Sequence, residues 1–340
     1  MAIKPIIVVG HGLAGAILTQ TLIDYGLKVR CIEGEIEHSA SRIAAGLVNP
    51  FVGPKLNIPL KFSECLKHNK VFFGKWEQKC TEKLFKRETL IRIFNSAKQA
   101  EKWIEISNSA RDSEYSLSYM TNKCLEEIGL GGKFGAGKTK AFRLDIKKFL
   151  RLSQDSLESN DCWSDERFDY SEVSGKEIII FAEGYNVSGN PFFNWLPFAP
   201  AQGEILEFMG PESPAMSNGT WFLPSSPTHF LAGSTWKHTD LKSGPTEKGR
   251  SKIYQKLNYL PLSQFKETNH FSGIRSGTVD RNPIIGQHPK FKNLFLFNGF
   301  GSRGSTTIKY HADLLVDFII NAAPLPYHTN LKRFMKLFTE

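Results

Sequence analysis

The sequence predicts an α/β fold, α+β overall, in which a parallel-sheet domain assembled from distant segments carries an antiparallel-sheet domain inserted in pieces. Three observations predict it. The apolar run Ile6-Ile7-Val8-Val9 leads into Gly10-His11-Gly12-Leu13-Ala14-Gly15, a helical pattern continues to Tyr25, and a second apolar run over 27–32 closes on Glu33. Continuous apolar runs recur at Ile178-Ile179-Ile180-Phe181-Ala182 and at Leu294 to Asn298, as strands buried on both faces require. Between Gln202 and Trp236 short apolar runs alternate with Gly, Pro and Ser, the pattern of an antiparallel sheet.

The first 33 residues give strand, glycine turn, helix, strand and acid, in the order of a Rossmann-like dinucleotide site. Gly10 permits the tight turn off the strand, Gly12 lets backbone approach a pyrophosphate, and Gly15 lets the helix lie close on the sheet. The free N–H groups at the helix start, Leu13 and Ala14 among them, face the phosphates. Glu33 arrives where a carboxylate accepts hydrogen bonds from ribose hydroxyls, with Gly34 beside it. Further helices are expected over 61–79, 96–106, 145–157 and 306–321, where apolar residues recur at three- and four-residue spacing. The expected division is 1–60, 130–200 and 271–340 for the dinucleotide domain, and 61–129 with 201–270 for the second domain.

At 340 residues, 41% hydrophobic and 23% charged, the composition is that of a soluble globular protein. No apolar run is long enough to span a bilayer, and the stretch before Gly10 is too short for a signal-peptide core. The five cysteines are scattered without a CxxC pair, so neither a disulfide framework nor a zinc or other metal site is indicated. A cytoplasmic location is the expectation. The net charge of +9 admits acidic metabolites or nucleic acid as partners. The lysines are spread along the chain, however, as on a solubilising surface, and there is no RNA-recognition or zinc-finger signature.

Residues 132–139, Gly-Lys-Phe-Gly-Ala-Gly-Lys-Thr, match the GxxxxGK[ST] phosphate loop at every fixed position. Such a loop must follow a buried strand and open a helix. Here little apolar strand precedes it, and Lys140 to Asp145 alternate as a half-exposed strand. Residues 129–138 are therefore read as a flexible hairpin tip, and nucleotide hydrolysis as a remote alternative.

The dinucleotide could be NAD or FAD. A second glycine turn, Gly299-Phe300-Gly301-Ser302-Arg303-Gly304, feeds a second helix start. A flavin needs one, because a helix N-terminus aimed at N1–C2=O stabilises the negative charge of the reduced ring.

With these motifs in order, the whole chain resembles the FAD-dependent D-amino-acid oxidase/glycine oxidase superfamily. Ser41-Arg42-Ile43-Ala44-Ala45-Gly46-Leu47 resembles its small-residue loop beside the pyrophosphate and ring. Ile178 to Gly184 resembles its strand ending in Ala-x-Gly, and Gln202-Gly203-Glu204 the opening of its substrate sheet. Gly273-Ile274-Arg275 followed by Asp280-Arg281-Asn282-Pro283-Ile284-Ile285-Gly286 resembles GxRPxxxDxxPxIG. The resemblance implies FAD contacts from the Gly10–Gly15 turn, Glu33, Gly34, Ser41, Arg42, Ala44, Ala45, Gly46, Leu47 and Gly184. It adds Gly301, Ser302, Arg303, Gly304, Ser305 and Thr306 at the second helix. It implies Arg275 as the anchor for a substrate carboxylate, through a bidentate guanidinium pair, with Trp221 and Arg303 also at the substrate. The bland alternative for Arg275 is a structural pair with Asp280, and Trp221 could equally be core.

The match departs from the amino-acid oxidases at two places. Ser276 stands where proline follows the arginine, and Ser302 where glycine-oxidase-like members carry a second substrate arginine. Gly301-Ser302-Arg303-Gly304 is instead similar to the FAD domain of the bifunctional tRNA wobble-uridine modification enzyme, which implies tRNA as a possible partner. The implied chemistry is oxidation of a C–N bond in a small amino acid or secondary amine. Hydride would pass to flavin N5 and water would hydrolyse the imine, with no catalytic Ser, His or Cys. Oxygen or another acceptor would take the electrons. The alternatives are removal of a carboxymethyl group from wobble carboxymethylaminomethyl-uridine, and a flavin protein without catalysis. His11 and His311 are read as structural or exposed.

Overall fold

A computed structural model describes residues 3–33, 37–109 and 114–338. The chain opens with β1 (Ile6–Val9), α1 (Leu13–Asp24), β2 (Val29–Ile32), α2 (Ala40–Ile43), β3 (Leu47–Val48) and α3 (Phe62–Cys80). It continues through β4 (Phe85–Ile93), α4 (Ala97–Asn108), β5 (Ser116–Met120), α5 (Asn122–Glu126), β6 (Ala136–Leu144), α6 (Ile146–Glu158), β7 (Trp163–Ser164) and β8 (Ile178–Phe181). The remainder comprises β9 (Ala201–Met209), β10 (Ala215–Ser217), β11 (Trp221–Pro224), β12 (His229–Gly233), α7 (Glu247–Lys256), β13 (Lys266–Arg275), β14 (Ile284–Gln287), β15 (Leu294–Asn298) and α8 (Gly304–Asn321).

Two sheets result. The first runs β14-β15-β8-β1-β2-β7. Its four inner strands are parallel, β14 joins antiparallel to β15, and the first strand of the chain is central. The three apolar runs that predict buried parallel strands are β1, β8 and β15. Helices α1, α3, α6 and α8 bury their apolar faces with β1 in one core that includes Ile17, Phe72, Phe149 and Leu315. Asp145 starts α6 by accepting a hydrogen bond from the Lys148 N–H, the side-chain cap that a helix start needs.

The second sheet runs β13-β9-β12-β11-β10-β4-β6-β3, with β5 paired to β6. The predicted antiparallel meander is present as β9 to β12, but β10 lies parallel to β4. This sheet contains three segments that the sequence-based division gave to the dinucleotide part, the first being β3, which pairs with β6 at Leu47↔Arg143 and Val48↔Phe142. β6 pairs with β4 over nine residues, from Phe85↔Leu144 to Ile93↔Ala136, and β13 stays paired with β9 as far as Arg275↔Ala201. Continuous ladder hydrogen bonding, which sequence alone does not display, sets the extent of this sheet.

The phosphate-loop look-alike is part of this ladder. Residues 136–138, expected at a hairpin tip, are the first three of β6. A methyl group on Gly137 would sit 2.3 Å from the Trp103 indole, and the Thr139 hydroxyl donates to the Tyr115 carbonyl at 2.9 Å. No helix follows to present free N–H groups, so the segment cannot cradle a nucleotide phosphate.

Candidate active site

The turn after β1 is built on close contacts. Gly10 has φ +99°, and a Cβ there would meet the Ala182 carbonyl oxygen at 2.8 Å. A Cβ on Gly15 would lie 1.7 Å from the Gly10 oxygen, so only glycine lets α1 start this near the strand. The Ser41 hydroxyl accepts from the Leu13 N–H at 3.0 Å, tying α2 to the first turn of α1. Glu33, partly buried at the end of β2, has its carboxyl pKa raised by burial, with the Arg42 guanidinium 3.4 Å away opposing that rise. Gly34 lies outside the described residues.

The same cavity, of about 1060 Å³, continues past Ala44, Ala45, Gly46 and Leu47. Gly46 has φ +70°, and a Cβ there would fall 1.8 Å from the Leu144 oxygen. The Ala45 carbonyl accepts from Arg143 Nε at 3.0 Å, which fixes this loop to β6. Gly184 follows β8, and Gly301 donates its N–H to the Ser276 carbonyl at 2.8 Å. Ser302, Arg303, Gly304, Ser305 and Thr306 bring the start of α8 to the cavity. Two helix N-termini, α1 and α8, therefore open on one elongated space floored by small residues. Their first backbone N–H groups have no acceptors within their own helices. That arrangement fits FAD, whose phosphates are of the kind that free helix N-termini attract.

Beyond the small-residue loop the wall belongs to the second sheet. Arg275, at the end of β13, donates through Nη2 to the Ser234 hydroxyl at 2.6 Å and through Nη1 to the Thr235 carbonyl at 3.3 Å. Its guanidinium lies over the Trp236 ring, 4.5 Å from the centroid, a favourable face for a cation. Among the described residues no carboxylate lies within ion-pair distance of it. Burial lowers its pKa to about 10, which leaves it charged at neutral pH. The expected alternative partner is taken, since Asp280 accepts from Arg333 Nε at 2.8 Å. Trp221 lines the cavity from β11, its ring 3.1 Å from where a Gly233 Cβ would stand.

Arg303 reaches the cavity rim, but its guanidinium donates to the Arg281 carbonyl. That bond holds the glycine turn to the loop before β14. His11 is buried with Nε2 3.0 Å from the Ser153 hydroxyl, and burial, reinforced by Arg42, lowers its pKa to about 3. His311 is bonded to the Thr307 carbonyl at 2.7 Å, and burial lowers it to about 4. Both are neutral side chains at physiological pH.

Sequence reasoning missed Ser234, Trp236 and the use of Gly203. A Cβ on Gly203 would stand 2.1 Å from Arg275 Nη2, so this glycine is the floor on which the guanidinium lies. Its position next to Gln202 was visible, but only the β9–β13 register, Gly203↔Gly273, shows what lies above it. Among the described residues no group of His, Cys, Asp and Glu could hold a metal ion, and no helix is long and apolar enough to cross a membrane.

Over residues 5–318 the sequence matches the family model DAO, FAD dependent oxidoreductase. A glycine oxidase of Pseudomonas aeruginosa is 22% identical over 364 residues, covering 94% of this chain and 96% of the relative. Among solved structures, the iminodiacetate oxidase of Chelativorans sp. BNC1 superposes with a TM-score of 0.76 at 16% identity, over 96% of this chain and 99% of that one. The L-proline dehydrogenase of P. horikoshii gives 0.78 at 15% identity, over 98% of each chain.

Proposed function

The chain belongs to the DAO family of FAD-dependent oxidoreductases, and from that premise we propose that it oxidises the C–N bond of a small amino acid or secondary amine bearing a carboxylate. One observation carries this reading. Arg275 presents a charged guanidinium to the cavity with a hydroxyl, a carbonyl and an indole as partners and no carboxylate among the described residues. A planar fork in that setting accepts a carboxylate from the substrate. The relatives reported above are named for glycine, iminodiacetate and proline, each an amine next to a carboxylate, and this supports the same class.

Bound FAD supplies a hydride acceptor. The protein's own residues do the rest by position. Arg275, steadied by Ser234 and stacked on Trp236, fixes the carboxylate and thereby the α-carbon. Trp221 walls the cavity beside it and helps exclude water until the amine has become an imine. Water then adds to the imine carbon, and the C–N bond breaks to give a carbonyl compound and an amine. Trp221 acts here through its surface, and Arg303 through its hold on the 281 carbonyl rather than through the substrate.

The test is an absorbance spectrum of the purified protein, then anaerobic addition of glycine, sarcosine, D-alanine and iminodiacetate. Loss of the flavin band near roughly 450 nm with one of these amines, abolished by Arg275→Met, is the expected result. Bleaching only by carboxymethylaminomethyl-modified tRNA would move the reaction to RNA. Bleaching that survives Arg275→Met would remove the carboxylate anchor.

A further inference from the structure

A second arginine shares the cavity. Arg92, on β4, is 4% exposed and donates through Nη1 to the Ser217 hydroxyl at 3.3 Å and through Nη2 to the Gly53 carbonyl at 3.2 Å. Its Nε is buried without a partner, and among the described residues no carboxylate pairs with it. Burial lowers its pKa to about 10, so it remains cationic. A buried cation with an unused donor is costly to keep unless something answers it.

The register places it relative to Arg275. Arg92 pairs with Ser217, Ser217 with Trp221, and Trp221 with Gly233. Directly paired residues share a face of a sheet, so the row Arg92, Ser217, Trp221 faces the cavity and ends beside Ser234, which holds Arg275. β10 and β12 are two strand spacings apart, so Ser217 and Ser234 are separated by roughly 10 Å. In the register Trp221 stands between Ser217, which Arg92 holds, and Gly233, which precedes Ser234, and its indole lies 3.1 Å from where a Gly233 Cβ would stand. The carboxylates that line the cavity, Glu33, Glu37 and Glu183, follow β2 and β8 of the other sheet.

We propose that Arg92 and Ser217 form a second anion subsite, so that the substrate is an amino acid whose amine carries a substituent ending in a second carboxylate or a phosphate. This rests on the reading of Arg275 as the anchor for the first carboxylate. One substrate then spans Trp221 with an anion at each end and its amine between them.

The test is calorimetric titration of the FAD-loaded protein with non-oxidisable probes: butyrate, a dicarboxylate series from succinate to adipate, and 3-phosphonopropionate. A dianion of the fitting length is expected to bind on the order of 30-fold tighter than butyrate. Arg92→Met is expected to erase that gain and leave butyrate unchanged, and Arg92→Lys to restore part of it. Better binding of 3-phosphonopropionate than of the dicarboxylates would assign the second group as phosphate, and the reverse order as carboxylate. Equal weakening of butyrate and dianion by Arg92→Met would overturn the proposal, because an arginine that only braces Gly53 would act on both. Absence of any dianion preference in the unaltered protein would overturn it too. Should Arg92→Met fail to load FAD, Ser217→Ala is expected to lower the dianion preference in a protein that keeps the arginine. Failure of the Arg275 reading shows separately, as butyrate affinity untouched by Arg275→Met.

Discussion

Gly203→Ala tests the geometry of the proposed carboxylate anchor, Arg275, without substituting that arginine. Gly203 lies in β9 outside the left-handed region, so alanine is acceptable to the backbone there. The added methyl would stand 2.1 Å from Arg275 Nη2 and 2.4 Å from Cζ. Ordinary contact begins near 3.4 Å, so the guanidinium must retreat by roughly 1.3 Å. Its 2.6 Å bond to Ser234 breaks in the process. A misplacement of about 1 Å at a positioning group can cost about 100-fold in rate, and a loss of this order in kcat/KM for glycine or sarcosine is expected. Stability is expected to fall by about 1–3 kcal/mol, chiefly because the bond given up is one to a charged group. Alanine in a strand gains about 0.4–1 kcal/mol through the unfolded chain, while an off-rotamer arginine loses about 0.5–1.5 kcal/mol. The assay is flavin bleaching rate against substrate concentration, with thermal unfolding and FAD content as controls. In an Arg275→Met background the same substitution is expected to be silent, since the methyl then meets no guanidinium. Activity within threefold of wild type, or an equal loss in both backgrounds, would refute the placement of Arg275 over Gly203.

Gly15→Ala would set a methyl 1.7 Å from the Gly10 carbonyl oxygen, a backbone atom that cannot swing aside, so α1 must lift from β1. At least a 100-fold loss of FAD affinity is expected, read as flavin retained after dialysis, and retention equal to wild type would contradict it. His11 and His311 predict a pH dependence of stability. Burial lowers their pKa values in the fold to about 3 and about 4, against an ordinary 6.5. Both therefore gain protons on unfolding once the pH falls below 6.5. Their contribution is complete above that pH and is lost as pH falls toward their folded values, by about 1.4 kcal/mol per unit for each group. Glu183, whose pKa burial raises, works in the opposite direction, so the comparison is with a His11→Gln/His311→Gln double variant. Between pH 7.5 and 5.5, urea unfolding is expected to show wild type losing about 2.7 kcal/mol more than that variant, and parallel curves would disprove it.

Features that depend on a single residue type were legible in the sequence. Gly10, Gly15 and Gly46 stand where a Cβ would meet backbone atoms within 2.8 Å, so the glycine pattern announces itself. The three parallel strands were legible as uninterrupted apolar runs. Features that depend on pairing were not. Arg92 is an ordinary polar position in an alternating strand until its parallel pairing with β10 sets it beside Ser217. The assignment of β6 and the end of β13 to the large sheet likewise follows from ladders between distant segments. Arg303 carried the right residue type at the right turn, yet a backbone carbonyl was available to it at residue 281, and the guanidinium took it.

The order of strands in the parallel sheet has a consequence for how the protein is made. β1 is made before β2 and β8 yet sits between them, and the second helix N-terminus at the cavity, at Gly304, is synthesised about 290 residues after the first. At common elongation rates about 15–60 s separate the two. During that interval the nascent chain owns only part of the cavity wall, the glycine turn and the start of α1. The cavity is therefore complete only once α8 has been made. A cavity that needs both helix starts reports, when it is whole, that two distant segments of the chain have met.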